Sequence, residues 1–175
     1  MTRLFHRAPT APADVVARAG LDRGVKVLAA AGDRAGTWLL GTRDALVVVE
    51  PADTIRLPWE TVETADWDND TSRLEVAEVG EFGQPRPVHR FTLEDPRRLL
   101  QLVRERVTAS VLLQRRVDVR GRRGLTVIAR RPPRGSGEIT WAYELDPGLD
   151  PTDPDVTRAA EEALRAARQD VGEPI

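Results

Sequence analysis

The chain has 175 residues, 41% of them hydrophobic and 31% charged, which suffices for the core of one ordinary domain with an appendage and argues against wholesale disorder. Its formal net charge of −2 asks for neither nucleic acid nor a membrane surface as partner, and the absence of cysteine excludes disulfides, thiolate metal sites and cysteine nucleophiles. No apolar run reaches signal-peptide or membrane-spanning length, so a cytoplasmic chain is the expectation.

Residues 1–11 carry no periodicity and read as a lead-in, and PADVVARAG (12–20) predicts a short helix with Val15, Val16 and Ala19 on one side, ended by Gly20. From Gly24 the chain breaks into runs rich in β-branched and aromatic residues: GVKVLAAAG, TWLLG, DALVVVE, TIRLPW, TVETADWD, SRLEVAEV and PVHRFTLE. Turn-forming residues separate them, and seven short strands at this spacing favour an antiparallel sandwich or barrel. The period then changes from two to about 3.6. Asp95 is placed to cap a helix that starts at Pro96 and runs to residue 110, with Leu99, Leu100, Val103, Val107 and Val111 on one side. RRVDVRGRRGLTVIARR (115–131) alternates again, and with EITWAYELD (138–146) reads as an added hairpin. Asp153 can cap a last helix that starts with Pro154, has Val156, Ala160, Ala163, Leu164 and Ala167 as its apolar side, and stops at Gly172.

This order resembles the pleckstrin-homology-like barrel, in which two nearly orthogonal sheets are closed at one end by a C-terminal helix. The resemblance covers residues 24–112. WLLGTRDALVVVE and IRLPWETVETADWD are similar to the strand–turn–strand rhythm of bacterial and GRAM-like members, and the whole chain resembles an uncharacterised actinobacterial protein family. It implies an α+β fold, mainly antiparallel, with a seven-strand barrel closed by the amphipathic helix. The lead-in (1–23) would precede the barrel and closing helix (24–112), and a hairpin with a C-terminal helix (113–175) would pack on them. Two departures stand out. Lipid-binding members carry several basic residues around the first strand–strand loop, whereas AAGDRAGT (30–37) has Arg34 alone beside Asp33, which argues against a phosphoinositide ligand. The closing-helix tryptophan of eukaryotic members is also missing, since no aromatic residue lies between Phe91 and Trp141.

Asp66, Asp68 and Asp70 match the start of a calcium-binding EF-hand loop, but the sixth and twelfth positions, where Gly and Glu are needed, hold Thr71 and Ala77. Asn69-Asp70-Thr71-Ser72 is instead turn chemistry, with Ala65, Trp67 and Leu74 packing and the acids facing solvent. His6 and His89 stand apart from each other and from any nucleophile, and no phosphate loop, dinucleotide fingerprint or serine-elbow motif is present. No catalytic residue, metal or cofactor is therefore assigned.

Charge is unevenly spread. Residues 97–134 hold twelve arginines against Glu105 and Asp118, a net of +10, while residues 135–175 carry a net of −7. Arg115, Arg116, Arg120, Arg122, Arg123, Arg130, Arg131 and Arg134 fall in or beside the added hairpin. They either pair with the acidic tail, within the chain or across a dimer, or bind phosphate through a salt-dependent patch. The lack of interleaved aromatics favours the first. Core is the default for Trp38, Trp67 and Trp141, and Trp59, directly after Pro58 at a strand break, is expected to be partly exposed at a contact surface. The expectation is thus a non-enzymatic protein-interaction or scaffold module whose partner is another protein or a second copy. The alternative is nucleic-acid or phosphorylated-ligand binding through residues 115–134.

Overall fold

A computed structural model describes residues 10–133 and 137–173. The first strands form a four-stranded antiparallel meander in the order β1 (Ala29–Gly32), β2 (Trp38–Gly41), β3 (Ala45–Val49), β4 (Thr54–Pro58). Short turns enforce this neighbour pairing. In the first, the Asp33 carboxylate accepts from the backbone N–H groups of Ala35 and Thr37, both at 2.8 Å. A second antiparallel sheet holds β5 (Val62–Asp68), β6 (Arg73–Glu78) and β7 (Val88–Thr92). Residues 24–28, expected to open the first strand, precede β1 as irregular chain.

The two sheets share a core. Leu39, Leu46 and Val48 of the first meet Val62, Leu74, Val76 and Phe91 of the second. Helix α1 (Ala13–Arg18) seals the outer face of the first sheet, with Val15 and Ala19 on Ala30, Leu40, Val47 and Val49. β3 is therefore buried on both faces, which is why ALVVV reads as an unbroken apolar run rather than an alternating one.

The seven strands do not close into one barrel, as the resemblance implied. A single 3-10 turn at Trp59–Thr61 breaks the ladder between β4 and β5, and only an isolated bridge, Gly32 with Glu94, joins the sheets on the far side among the described residues. Helix α2 (Arg97–Ser110) covers this unit, burying Leu99, Leu102 and Val103. Gly41 lets it come close, since a Cβ there would lie 2.6 Å from a Leu102 methyl. Its start differs from expectation. Pro96 occupies the capping position without a side-chain hydrogen bond, and Asp95 adopts φ +43° with its carboxylate turned to Arg97 at 2.8 Å.

Strand β8 (Val111–Arg120) follows α2 without a loop. With β9 (Arg123–Arg130) and β10 (Thr140–Leu145) it makes a three-stranded sheet in the order β10-β9-β8, one strand more than the expected hairpin. Helix α3 (Pro154–Asp170) lies on it in the same chain, packing Val156, Ala160, Ala163 and Ala167 against Leu125 and Val127. Asp153 caps α3 as expected, accepting from Asp155 N–H at 2.9 Å. The 80–86 loop of the first unit reaches this second one. The rings of Phe82 and Tyr143 meet edge-on with centroids 5.1 Å apart, and Arg86 donates to the Tyr143 carbonyl at 2.7 Å. No helix among the described residues is long and apolar enough to cross a membrane.

Candidate interaction surface

Strand alternation decides where the arginines go. Along β8 the odd-numbered residues face α3 and are half-buried, and the even-numbered ones are exposed. Arg115 lies on the α3 side and pairs with Asp170 at 2.5 Å. Arg116 reaches Asp146 at 2.6 Å and stands 3.7 Å from Asp118, and Arg120 pairs with Asp153 at 2.5 Å. The Asp146 carboxyl is brought down to about 2, first by its hydrogen bond from Arg116 and then by that from the Gly124 N–H at 2.9 Å. Three of the hairpin arginines are thus ion-paired with acidic residues of their own chain.

Arg130 behaves differently. It is only 4% exposed, wedged between the two units. Its guanidinium donates to the Val107 carbonyl at 3.1 Å, the Ser110 hydroxyl at 2.9 Å and the Glu63 carbonyl at 3.0 Å. That carbonyl is free because β5 bulges at Glu63, where the register with β6 shifts between Val62 and Thr64. The bulge also leaves the Glu63 side chain buried, with Oε1 2.9 Å from Arg86 Nη1 but out of line for a hydrogen bond. Burial pushes the Glu63 carboxyl up, against the pull of Arg86, and lowers the Arg130 guanidinium.

Arg122, Arg123 and Arg131 are exposed and form no ion pair among the described residues. Arg122 and Arg123 sit at the β8–β9 turn, which Gly121 enables with φ +62°. Arg134 and His6 lie outside the described residues. Trp59 is fully buried, correcting the expected exposure: the 3-10 turn swings its ring into the core, where its indole N–H donates to the Thr42 carbonyl at 3.2 Å.

The aspartates form the β5–β6 hairpin tip. All three are exposed, and Asp68 accepts from Asp70 N–H at 2.9 Å and from the Thr71 hydroxyl at 2.7 Å, which holds its carboxyl below the usual range. No cluster of potential metal ligands occurs among the described residues. His89 makes a cross-strand contact with Glu78 at 2.7 Å and stacks on Phe91. A cleft of about 440 Å³ separates the 80–86 loop from the end of β10; of its charged walls, Arg86 and Asp146 are bound to other groups and Glu81 is exposed.

One feature escaped the sequence reading: the outer edge of β8. Gly124 exchanges hydrogen bonds with Asp146 on the β10 side, so its opposite residue, Asp118, directs its backbone N–H and C=O away from β9. By the same parity Arg116 and Gln114 also point outward. Their backbone groups meet no partner among the described residues. Beside this edge Leu113, Val117 and Val119 stay half-buried, packed on the α3 cluster, while Leu125 and Val127 one strand inward are fully buried. Only the position of β8 as the last strand of its sheet reveals this, and sheet order is not written in local sequence.

Compared with family models, curated proteins and solved structures, the chain matches none.

Proposed function

We propose that the protein is a non-enzymatic interaction or scaffold module acting in the cytoplasm, its residues 24–112 forming a pleckstrin-homology-like unit. Seven strands divided four and three, followed by one amphipathic helix packed on them, support the likeness. The observation that carries the interaction reading is the ten-residue edge strand β8, with outward backbone groups and a half-buried apolar row beside it. Such an edge is a template for strand addition. The test is affinity capture from native lysate with and without nuclease, read by mass spectrometry. A protein still enriched after nuclease supports the module reading, and capture of nothing but the bait by a monomeric chain removes it.

A second reading has its own observation: Arg122 and Arg123 stand exposed at the β8–β9 turn and form no ion pair among the described residues. They suit a phosphorylated ligand or nucleic acid, whose affinity would fall steeply with salt. Binding unchanged in the Arg122→Glu/Arg123→Glu variant would overturn it.

A further inference from the structure

Resting on the interaction reading, we propose that the edge of β8 is occupied by β8 of a second copy of this chain. The two strands run antiparallel about a two-fold axis at Val117 and join two three-stranded sheets into one of six.

Backbone parity narrows the register. The outward groups belong to even-numbered residues, so two strands that exchange hydrogen bonds along this edge must set even against even. The two-fold then falls on a residue, which faces its own copy. The regular stretch is bounded by the irregularities at Val111/Leu113 and Asp118/Arg120. An axis at Arg116 sets that arginine against itself, and an axis at Arg115 sets Arg116 against Gln114; neither brings opposite charges together. An axis at Val117 places Arg116 opposite Asp118 of the second copy, and Asp118 opposite its Arg116. The same charge complement is thus met twice, and each opposition is a hydrogen-bonded pair. Arg116 keeps its bonds to Asp146 and to the Arg122 carbonyl and stands 3.7 Å from Asp118 within its own strand, so the pairing leaves no charge buried without a partner. On the α3 side this register brings the half-buried Val117, already packed beside α3, against its own copy and extends that apolar contact across the axis.

The absence of cysteine makes the register directly testable. Residues at the axis form a non-hydrogen-bonded antiparallel pair with Cα atoms about 4.5 Å apart, within disulfide reach. Gln114 of the two copies would be six residues out of step, about 20 Å apart. The expected results are a monomer–dimer equilibrium in sedimentation velocity and, under mild oxidation, a covalent dimer from Val117→Cys but not from Gln114→Cys. Asp118→Arg should raise the dimer dissociation constant at least tenfold with an unchanged far-UV spectrum. A wild-type chain monomeric at every concentration, or equal cross-linking at 114 and 117, overturns the pairing. A monomer that still captures a protein from lysate overturns it too, yet leaves the interaction reading standing. A monomer that captures nothing removes both.

Discussion

Arg130 is the residue on which most depends. Its three hydrogen bonds tie β5, α2 and β9 together in a place with almost no solvent, and the Glu63 carboxylate lies near it. Arg130→Met would leave the Glu63 carbonyl without its donor and strip one donor each from the Val107 carbonyl and the Ser110 hydroxyl, and is expected to cost about 3–5 kcal/mol in urea unfolding. Arg130→Lys should rescue little, because one ammonium cannot span the acceptors a planar guanidinium reaches. Glu63 adds a pH signature. Burial raises its carboxyl above the ordinary 4.5, so the folded state holds the proton more tightly than the unfolded one. Its charged form therefore costs stability, and that cost grows as pH rises from 4.5 through the raised value. Asp146 works in the opposite sense: its contribution is present above 3.8 and is lost as pH falls through about 2. Glu63→Gln should flatten the decline on the upper side and leave the acid loss intact, as read from urea midpoints across pH.

At the scale of elements, α3 was the most legible. Asp153, Pro154 and Gly172 punctuate its ends, and its apolar residues recur at helical spacing. Asp153→Ala removes both the cap and the pair with Arg120, and a loss of about 1–2 kcal/mol in thermal unfolding is expected. The β8–β9 ladder depends on Gly124, since a Cβ there would lie 2.2 Å from the Val117 carbonyl oxygen, backbone against backbone. Gly124→Ala should destabilise by about 1–3 kcal/mol, and the glycine's place inside a strand was a visible hint of close approach. The seven early strands could be read because short runs rich in β-branched or aromatic residues, and the turn residues between them, are local signals. Their division into two sheets could not, because it turns on the 3-10 turn at Trp59–Thr61, which strand patterning does not mark. Glu63 and Arg130 were hidden for related reasons. A bulge is defined only against a partner strand, and Arg130 ends a run whose other arginines face water. Its parity with Ile128 on β9 was the one clue that it points inward. Trp59 misled because the turn after Pro58 reverses the direction that strand alternation would give.

For the whole molecule, the two units are joined by contacts of different kinds: the Arg130 fork, the Arg86 bond to Tyr143 and the Phe82–Tyr143 edge contact. They should make unfolding a single event. Trp141 reports on the second unit and Trp38, Trp59 and Trp67 on the first, so each can be followed separately. In the Trp141→Phe protein, tryptophan fluorescence, which reports the first unit, and far-UV circular dichroism, which reports both, should give coincident midpoints. Adding Phe82→Ala and Arg86→Ala should lower the midpoint of the second unit and separate the two curves. The loop-free passage from Ser110 to Val111 carries a further consequence, for the order in which the protein is made. When a ribosome has synthesised everything through α2, Glu63 is already committed to its bulge, but the arginine that serves its carbonyl is still untranslated. The first unit must hold that carbonyl in water until β9 emerges. Arrival of β9 is then the step that dries the seam, and a nascent chain stalled before Arg130 should differ from the finished protein in the carbonyl carbon shifts of Glu63 and Val107 while keeping its early strands.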